Sequence, residues 1–363
     1  MRGPQGLSEP INITTGLKQG DILSPLLFNL ALEGILRGMR THPFNADGST
    51  VQLPGILGYA DDLALLADSE EEAVAMAADL VARAAPFGLE VNQAKTKYMV
   101  CCDVETPRPP HLQVGVHEYE TVDSFKYLGQ VITERGGSAA DVAARKSSAL
   151  RAYCGLGKVM RTKTTSIATK LMVHDTILTP ILTYGAASWT LTKSLAMALA
   201  AFDNTIIRRM AGAVYNEAVG KHVLRGTEEA RQITGQKKPV LVRVRDAQMK
   251  WAGHVARGSA CLAANCALNA TSDGGRARRR APKRPWAQQI DGVALALDCE
   301  DWQVAAQDRE EWKAICAQAR DLPDPWTQWN EERKEAHRRR AARLEDQEQG
   351  VDGEEDVDDP QPV

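Results

Sequence analysis

The stretch LPGILGYADDLALLAD, residues 53–68, sets two adjacent carboxylates, Asp61 and Asp62, between two short apolar runs. Two negative charges in an otherwise hydrophobic segment cost folding free energy unless solvent, a partner or a cation takes them up. Residues 56–59 and 63–66 are too short and too uniformly apolar for independent helices, and the acidic pair between them suits a tight hairpin turn. The expected unit is a rigid two-stranded support with both acids at an exposed tip.

Upstream lies EPINITTGLKQGDILSPLLFNLALEGILRGMR, residues 9–40. Its PINIT alternates like a short strand, TTGLKQGD carries the Gly and Asp of a loop, and Ser24 with Pro25 reads as the capped first turn of a helix with Leu26, Leu27, Leu30, Ala31 and Leu32 as apolar contacts. Downstream, SEEEAVAMAADLVARAAPFG (69–88) reads as a second helix. Ser69 and Glu72 have capping-box spacing, Val74, Ala77, Val81 and Ala84 recur at three and four, and Pro86 and Gly88 end it. LEVNQAKTKYMVCC (89–102) follows as strand, turn at Asn92 and strand; after the proline-rich spacer TPRPPH, FKYLGQVI (125–132) reads as one further apolar strand. Strands and helices mixed without a βαβ repeat indicate α+β organisation.

Beyond Gly137 the pattern is almost wholly helical, with candidates at 138–160, 165–185 and 193–212, the second expected to kink or break at Pro180. A helix pair is expected around Trp302 and Trp312. EERKEAHRRRAARLEDQEQ (331–349) reads as a charged solvated helix and the acidic tail as disordered. The expected divisions are therefore 1–136, 137–215, 216–330 and 331–363.

Hydrophobic residues make up 44% and charged residues 25% of the 363, as in ordinary globular chains. No apolar run approaches the roughly 20 residues that cross a bilayer, and the start MRGPQGLSEP lacks a signal-peptide core. Those features predict a nuclear or cytoplasmic protein, neither secreted nor membrane-bound. Seven cysteines without repeated short spacing suit reduced thiols, and Cys261, Cys266 and His254 match no standard zinc set. The net charge of −3 becomes +6 once the nine acidic residues after Arg343 are set aside, a balance compatible with a nucleic-acid partner. Between Asp141 and Asp175 there is no acid, while Arg145, Lys146, Arg151, Lys158, Arg161, Lys163 and Lys170 supply seven cations, which favours a phosphate-tracking face. For the cluster Arg276, Arg278, Arg279, Arg280, Lys283 and Arg284, nuclear localisation, nucleic-acid binding and a merely unstructured segment all remain open.

The order of motifs resembles reverse transcriptases of non-LTR (LINE-type) retrotransposons. GLKQGDILSPLLFNLALE is similar to their loop and helix at the nucleotide pocket, YADD to their metal-binding hairpin, GLEVNQAKTKYMV to the motif after it, and FKYLGQVI to the primer-grip strand. ILTYGAASW, KWAGHVAR and WQVAAQDREEWKAI are similar to thumb and downstream segments, so the resemblance runs over most of residues 11–316. It implies a partial polymerase palm with an antiparallel sheet, then an all-helical thumb and a C-terminal helical region. It also implies RNA-directed DNA synthesis on an RNA template and DNA primer with deoxynucleotides and two Mg²⁺ (or Mn²⁺) ions, since hard cations take carboxylate oxygens. Asp61 is then a direct metal ligand and Asp62 a weaker ligand or electrostatic neighbour. Gln19 and Gly20 lie against nucleotide and template, Lys95 orients or protonates the leaving phosphate, and Tyr59 supports the hairpin at the primer end. On the residues alone, Lys95 reads equally as a surface lysine and Tyr59 as a core aromatic. Lys146, Arg151, Lys158, Arg161, Lys163 and Lys170 are the nucleic-acid-binding candidates.

This family carries another metal-binding aspartate on a strand well upstream of the glycine loop. Here twenty residues precede Asp21, with Glu9 the sole carboxylate among them. The expectation is an N-terminally truncated polymerase fragment with an incomplete two-metal site, inactive alone and prone to self-association through an exposed palm edge. The alternative is a non-catalytic nucleic-acid-binding protein derived from a reverse transcriptase.

Overall fold

A computed structural model describes residues 2–3, 6–7, 16–18, 20–39, 44–45, 52–53, 55–101, 108–218, 220–258, 286–325, 329–332 and 335. PINIT, Gln19, Cys261, Cys266, the arginine cluster at 276–284 and the acidic tail lie outside them. Two compact units divide between Gly136 and Gly137.

The first unit mixes helix and sheet. In chain order it holds β1 (Arg2–Gly3), β2 (Gly6–Leu7), α1 (Ser24–Arg37), β3 (Phe44–Asn45), β4 (Gln52–Leu53), β5 (Ile56–Tyr59), β6 (Asp62–Leu65), α2 (Glu70–Ala84), β7 (Lys97–Tyr98), β8 (His111–Val114), β9 (His117–Thr121), β10 (Ser124–Tyr127) and β11 (Gln130–Thr133). The strands form antiparallel pairs except β7, which joins the β8–β9 hairpin in parallel at the β9 edge. Helix α2 is the central support. Leu80 and Ala84 pack with Ile35 of α1 and, from the β5–β6 hairpin, Ile56, Leu63 and Leu65, whereas Ala73, Val74 and Ala77 pack on Leu112, Val114 and Tyr119 of the three-stranded sheet. Its start is fixed by Ser69, whose Oγ accepts from the Glu72 N–H at 3.1 Å, while the Glu72 carboxylate accepts from the Asp68 N–H at 2.8 Å, one residue earlier than a regular capping box.

Several local expectations shift. Ser24 is the first helical residue of α1 rather than its cap; Leu23 stands at the cap, and the loop is tied instead by Asp21 Oδ1 accepting from the Leu23 N–H and by Ser24 Oγ donating to the Lys18 carbonyl. Leu89–Val91 form no strand, because Asn92 ties a turn with its side chain and only Lys97–Tyr98 pair. FKYLGQVI is not one strand but the β10–β11 hairpin, turning at Leu128–Gly129 with φ of 47° and 84°. The hairpin His111–Thr121 was not expected at all; Gly115, at its turn, was the available cue.

The second unit is a helical assembly: α3 (Ala139–Gly155), α4 (Gly157–Arg161), α5 (Ile167–Val173), α6 (Thr179–Leu182), α7 (Lys193–Ala211), then a hairpin of β12 (Ala213–Asn216) and β13 (Lys221–Leu224), and α8 (Thr227–Thr234), α9 (Val240–Ala256), α10 (Trp286–Leu295), α11 (Trp302–Ala305) and α12 (Arg309–Asp321). The hairpin is a non-helical element in a region expected to be almost wholly helical. Pro180 does not break its helix. A π turn at His174–Leu178 precedes it and carries the Thr179 N–H to the His174 carbonyl, the widened turn absorbing a residue that cannot donate. Helix α7 joins two cores, with Leu199 and Ala200 beside Trp189 and Leu182, and with Ile206, Ile207 and Met210 beside Tyr153 and Leu178.

Buried polar pairs lock this unit. Trp189 Nε1 donates to Asp141 Oδ2 at 2.8 Å, and Gln248 Nε2 donates to the Trp189 carbonyl. His174 sits between two carboxylates, Nε2 at 2.8 Å from Asp203 and Nδ1 at 2.9 Å from Asp175; Gln236 donates to the other oxygen of Asp203, and Arg243 pairs with Asp175 at 2.6 Å. Burial works to depress the His174 pKa, but the bonds to Asp175 and Asp203 and their charges prevail and raise it to about 9, so the ring is an imidazolium at neutral pH. In KWAGHVAR, Gly253 is required by close packing: a Cβ there would stand 2.1 Å from the Trp312 ring, whose Nε1 donates to the Met249 carbonyl.

Candidate functional site

The β5–β6 register pairs Ile56 with Leu65, Leu57 with Ala64, Gly58 with Leu63 and Tyr59 with Asp62. The two-residue turn is therefore Ala60–Asp61, one residue earlier than the acidic pair expected from sequence. Asp61 occupies the turn and Asp62 opens strand β6. Ala60 takes φ of 52°, a left-handed conformation that a non-glycine residue adopts at a cost of about 1 kcal/mol. The hairpin base is packed through Ile56, Leu63 and Leu65, and both carboxylates at the tip are exposed.

Among the described residues, no side chain bonds to or pairs with either carboxylate. The donor set is two hard oxygen ligands on a stiff support, which fits Mg²⁺ or Mn²⁺. It is a pair and not a closed cage: no group of three potential ligand side chains gathers among the described residues.

Tyr59 is 68% exposed, which removes the core-aromatic reading and leaves it on the strand opposite Asp62. Tyr127, not singled out from the sequence, brings the β10–β11 hairpin to this tip: its hydroxyl donates to the Asp62 carbonyl at 3.5 Å. Burial, and then the Asp62 charge, push the Tyr127 phenol up, so it stays a neutral donor. No local pattern in FKYLG signalled this bond, since the acceptor is a backbone carbonyl 65 residues away.

Gly20 has φ of 88°, with open space where a side chain would stand. That conformation favours glycine in the loop Lys18–Ser24. Lys95 is exposed in the turn after Asn92, its N–H donating to Asn92 Oδ1 at 3.1 Å, and it makes no bond to Asp61 or Asp62.

The cations of the acid-free segment stand in different surroundings. Arg145 is engaged by Asp141 at 3.4 Å and lies 4.4 Å over the Tyr184 ring. Lys146 is half-buried; Arg151, Lys158, Arg161 and Lys163 are exposed; Lys170 is buried. Arg161, Lys163 and Lys170 converge on one groove, joined by Arg209 of α7, whereas Lys146, Arg151 and Lys158 do not line it.

Residues 4–132 match the family model for reverse transcriptase (RNA-dependent DNA polymerase), a span that contains the glycine loop, the acidic hairpin and the β10–β11 hairpin almost entirely. This part of the chain is similar to reverse transcriptases. The Pol polyprotein of the type-1 retrotransposable element R2 from Nasonia vitripennis is 32% identical over 132 residues, 33% of this chain and 12% of that protein. The R2 polyprotein of Popillia japonica is 33% identical over 140 residues, 35% of this chain and 19% of its own length. A transposon-derived protein of Caenorhabditis elegans is 25% identical over 281 residues, covering 71% of this chain and 94% of that protein. The reverse transcriptase segment thus has non-LTR relatives of which it spans only a small part, while the likeness to the nematode protein extends well into the second unit. No solved structure matches. No helix among the described residues is long and apolar enough to cross a membrane.

Proposed function

We propose that the first unit carries part of an RNA-directed DNA polymerase centre, with Asp61 a direct ligand of a catalytic divalent ion and Asp62 a weaker ligand or electrostatic neighbour. The supporting observation is the pair of unengaged carboxylates on a packed hairpin inside a reverse transcriptase match. When bound, Mg²⁺ or Mn²⁺ supplies activation of the primer hydroxyl and stabilisation of the leaving pyrophosphate. The residues of this chain position the reactants: the Gly20 loop with Gln19 meets nucleotide and template, exposed Tyr59 supports the primer end, and Lys95 orients the leaving phosphate. RNA template, DNA primer and deoxynucleotides are the substrates.

Among the described residues two carboxylates serve a centre that needs a further ligand, and loss of one member of a unit-acting set costs several orders of magnitude in rate. By itself the chain should extend no primer on an RNA template with Mg²⁺ or Mn²⁺. Manganese should nonetheless broaden the amide resonances of Ala60–Leu63 selectively, and Asp61→Asn should abolish that broadening. Broadening that survives both Asp61→Asn and Asp62→Asn overturns the ligand assignment. Processive extension lost in Asp61→Ala overturns the expected inactivity.

The same palm presents apolar surface. Leu23, Leu26, Leu27 and Leu30 of the α1 region are exposed at a spacing of three, four and seven, a single stripe. Self-association through this face should be reduced in Leu26→Gln/Leu30→Gln, read as a larger monomer fraction in sedimentation velocity. A parent chain that stays monomeric at every concentration contradicts it.

A further inference from the structure

The groove on the second unit, about 630 Å³, is lined by Arg161, Lys163, Lys170 and Arg209, and among the described residues none that lines it is acidic. Mixed signs are the default on a globular surface, so four cations from α4, α5, α7 and the α4–α5 connection around one concavity call for an anion. Lys170 sharpens the point. It is only 8% exposed, yet pairs with no carboxylate among the described residues. Burying an ammonium without a counter-charge is costly, and an anion entering the groove would supply the missing partner.

The floor of the groove continues onto the β12–β13 hairpin. Ala213 and Leu224, paired across the strands, line it. Two residues further along each strand, hence on the same face, stand Tyr215 and His222, paired with each other. Their rings meet edge to face at 5.4 Å, and Tyr215 is 54% exposed. Two rungs of an antiparallel ladder, roughly 7 Å, separate a cationic groove from an open aromatic pair.

We propose that the groove and this hairpin face together bind single-stranded nucleic acid, the backbone phosphates lying against Arg161, Lys163, Lys170 and Arg209 and a base stacking on Tyr215 beside His222. A free phosphate has no use for the aromatic pair, and a duplex keeps its base faces stacked inside. Only an unpaired strand offers a backbone to the groove and a base face two rungs away. The site is built from residues of the second unit and shares none with the metal hairpin, so failure of the manganese experiment leaves it intact.

Fluorescence anisotropy of the full chain with labelled oligo(dT) and oligo(rU), a duplex of equal length and inorganic polyphosphate tests it. The single strands should bind more tightly than the duplex or polyphosphate, with log K falling against log salt by about 0.7 per contacted phosphate, near 3 for four contacts. Lys163→Gln/Arg209→Gln should flatten that slope by about 1.4. Tyr215→Ala should weaken binding about tenfold with the slope unchanged. These side chains are exposed, so unaltered circular dichroism is expected and confirms that folding is intact. Duplex or polyphosphate binding as tight as that of the strands, an unchanged slope in the double variant, or unchanged affinity in Tyr215→Ala overturns the proposal.

Discussion

Resistance of the second unit to urea should fall by about 3 kcal/mol as pH rises from 6.5 to beyond 9, because His174 has its pKa raised from 6.5 to about 9 on folding. A group that binds its proton more tightly when folded stabilises fully below its unfolded pKa and loses that contribution as pH climbs through the folded one. The charges facing the ring are Asp203 from α7 and Asp175 from its own π turn, with Thr179, Gln236 and Arg243 in the same network. Near-complete burial limits solvent screening, so most of the shift should register as stability. The Cys316 thiol, pushed up by burial, also weakens the fold at high pH. The measure is therefore the difference between parent and His174→Gln: the parent midpoint should lose its extra pH dependence in the variant, whose curve keeps the contributions of the Cys316 and Cys299 thiols. Parallel curves for the two proteins between pH 6.5 and 9.5 would remove His174 as the cause.

Trp189→Ala should be the most damaging single change in the same unit, at about 3–5 kcal/mol. The indole is 2% exposed and packs with Leu199, Ala200 and Val244, while its Nε1 satisfies Asp141, itself 3% exposed. Truncation opens a cavity and strips one oxygen of a buried carboxylate of its donor. For a unit of this size the melting temperature should drop by about 10 °C. Trp189→Phe separates the two contributions, retaining most of the packing while losing the N–H, and should cost about 1–3 kcal/mol. A phenylalanine variant as stable as the parent would show that Asp141 is satisfied without the indole.

The acidic hairpin was legible because two short apolar runs around a polar pair admit few alternatives. Its phase was not: hydrophobic pattern cannot distinguish a turn at Ala60–Asp61 from one at Asp61–Asp62, and only the pairing of Tyr59 with Asp62 decides. Helix α2 was legible through Ser69 and Glu72, whose side-chain bonds are local. The β10–β11 turn was hidden because leucine at a positive φ carries no turn signal. Contacts between distant segments escaped altogether. Trp189 finds Asp141 across 48 residues, and Arg209 reaches the groove from a helix well beyond the acid-free segment that supplied its neighbours. Charge counting along the chain picked out three of the four groove cations; Lys146, Arg151 and Lys158, grouped with them on sequence, do not line that groove.

The parallel seating of β7 bears on the order in which the first unit assembles. The β5–β6, β8–β9 and β10–β11 hairpins close over two-residue turns and need no distant chain, so each forms within microseconds. Lys97 and Tyr98 pair with Glu120 and Thr121, and that ladder exists only after the intervening chain has looped back and the β8–β9 hairpin is in place. Loop closure must be met before this contact gives anything in return. The acid-bearing hairpin is thus an early, local product of folding, and the three-stranded backing behind α2 matures later. A nascent chain would display Asp61 and Asp62 in their turn before it possesses the sheet that holds the hairpin's supporting helix in place.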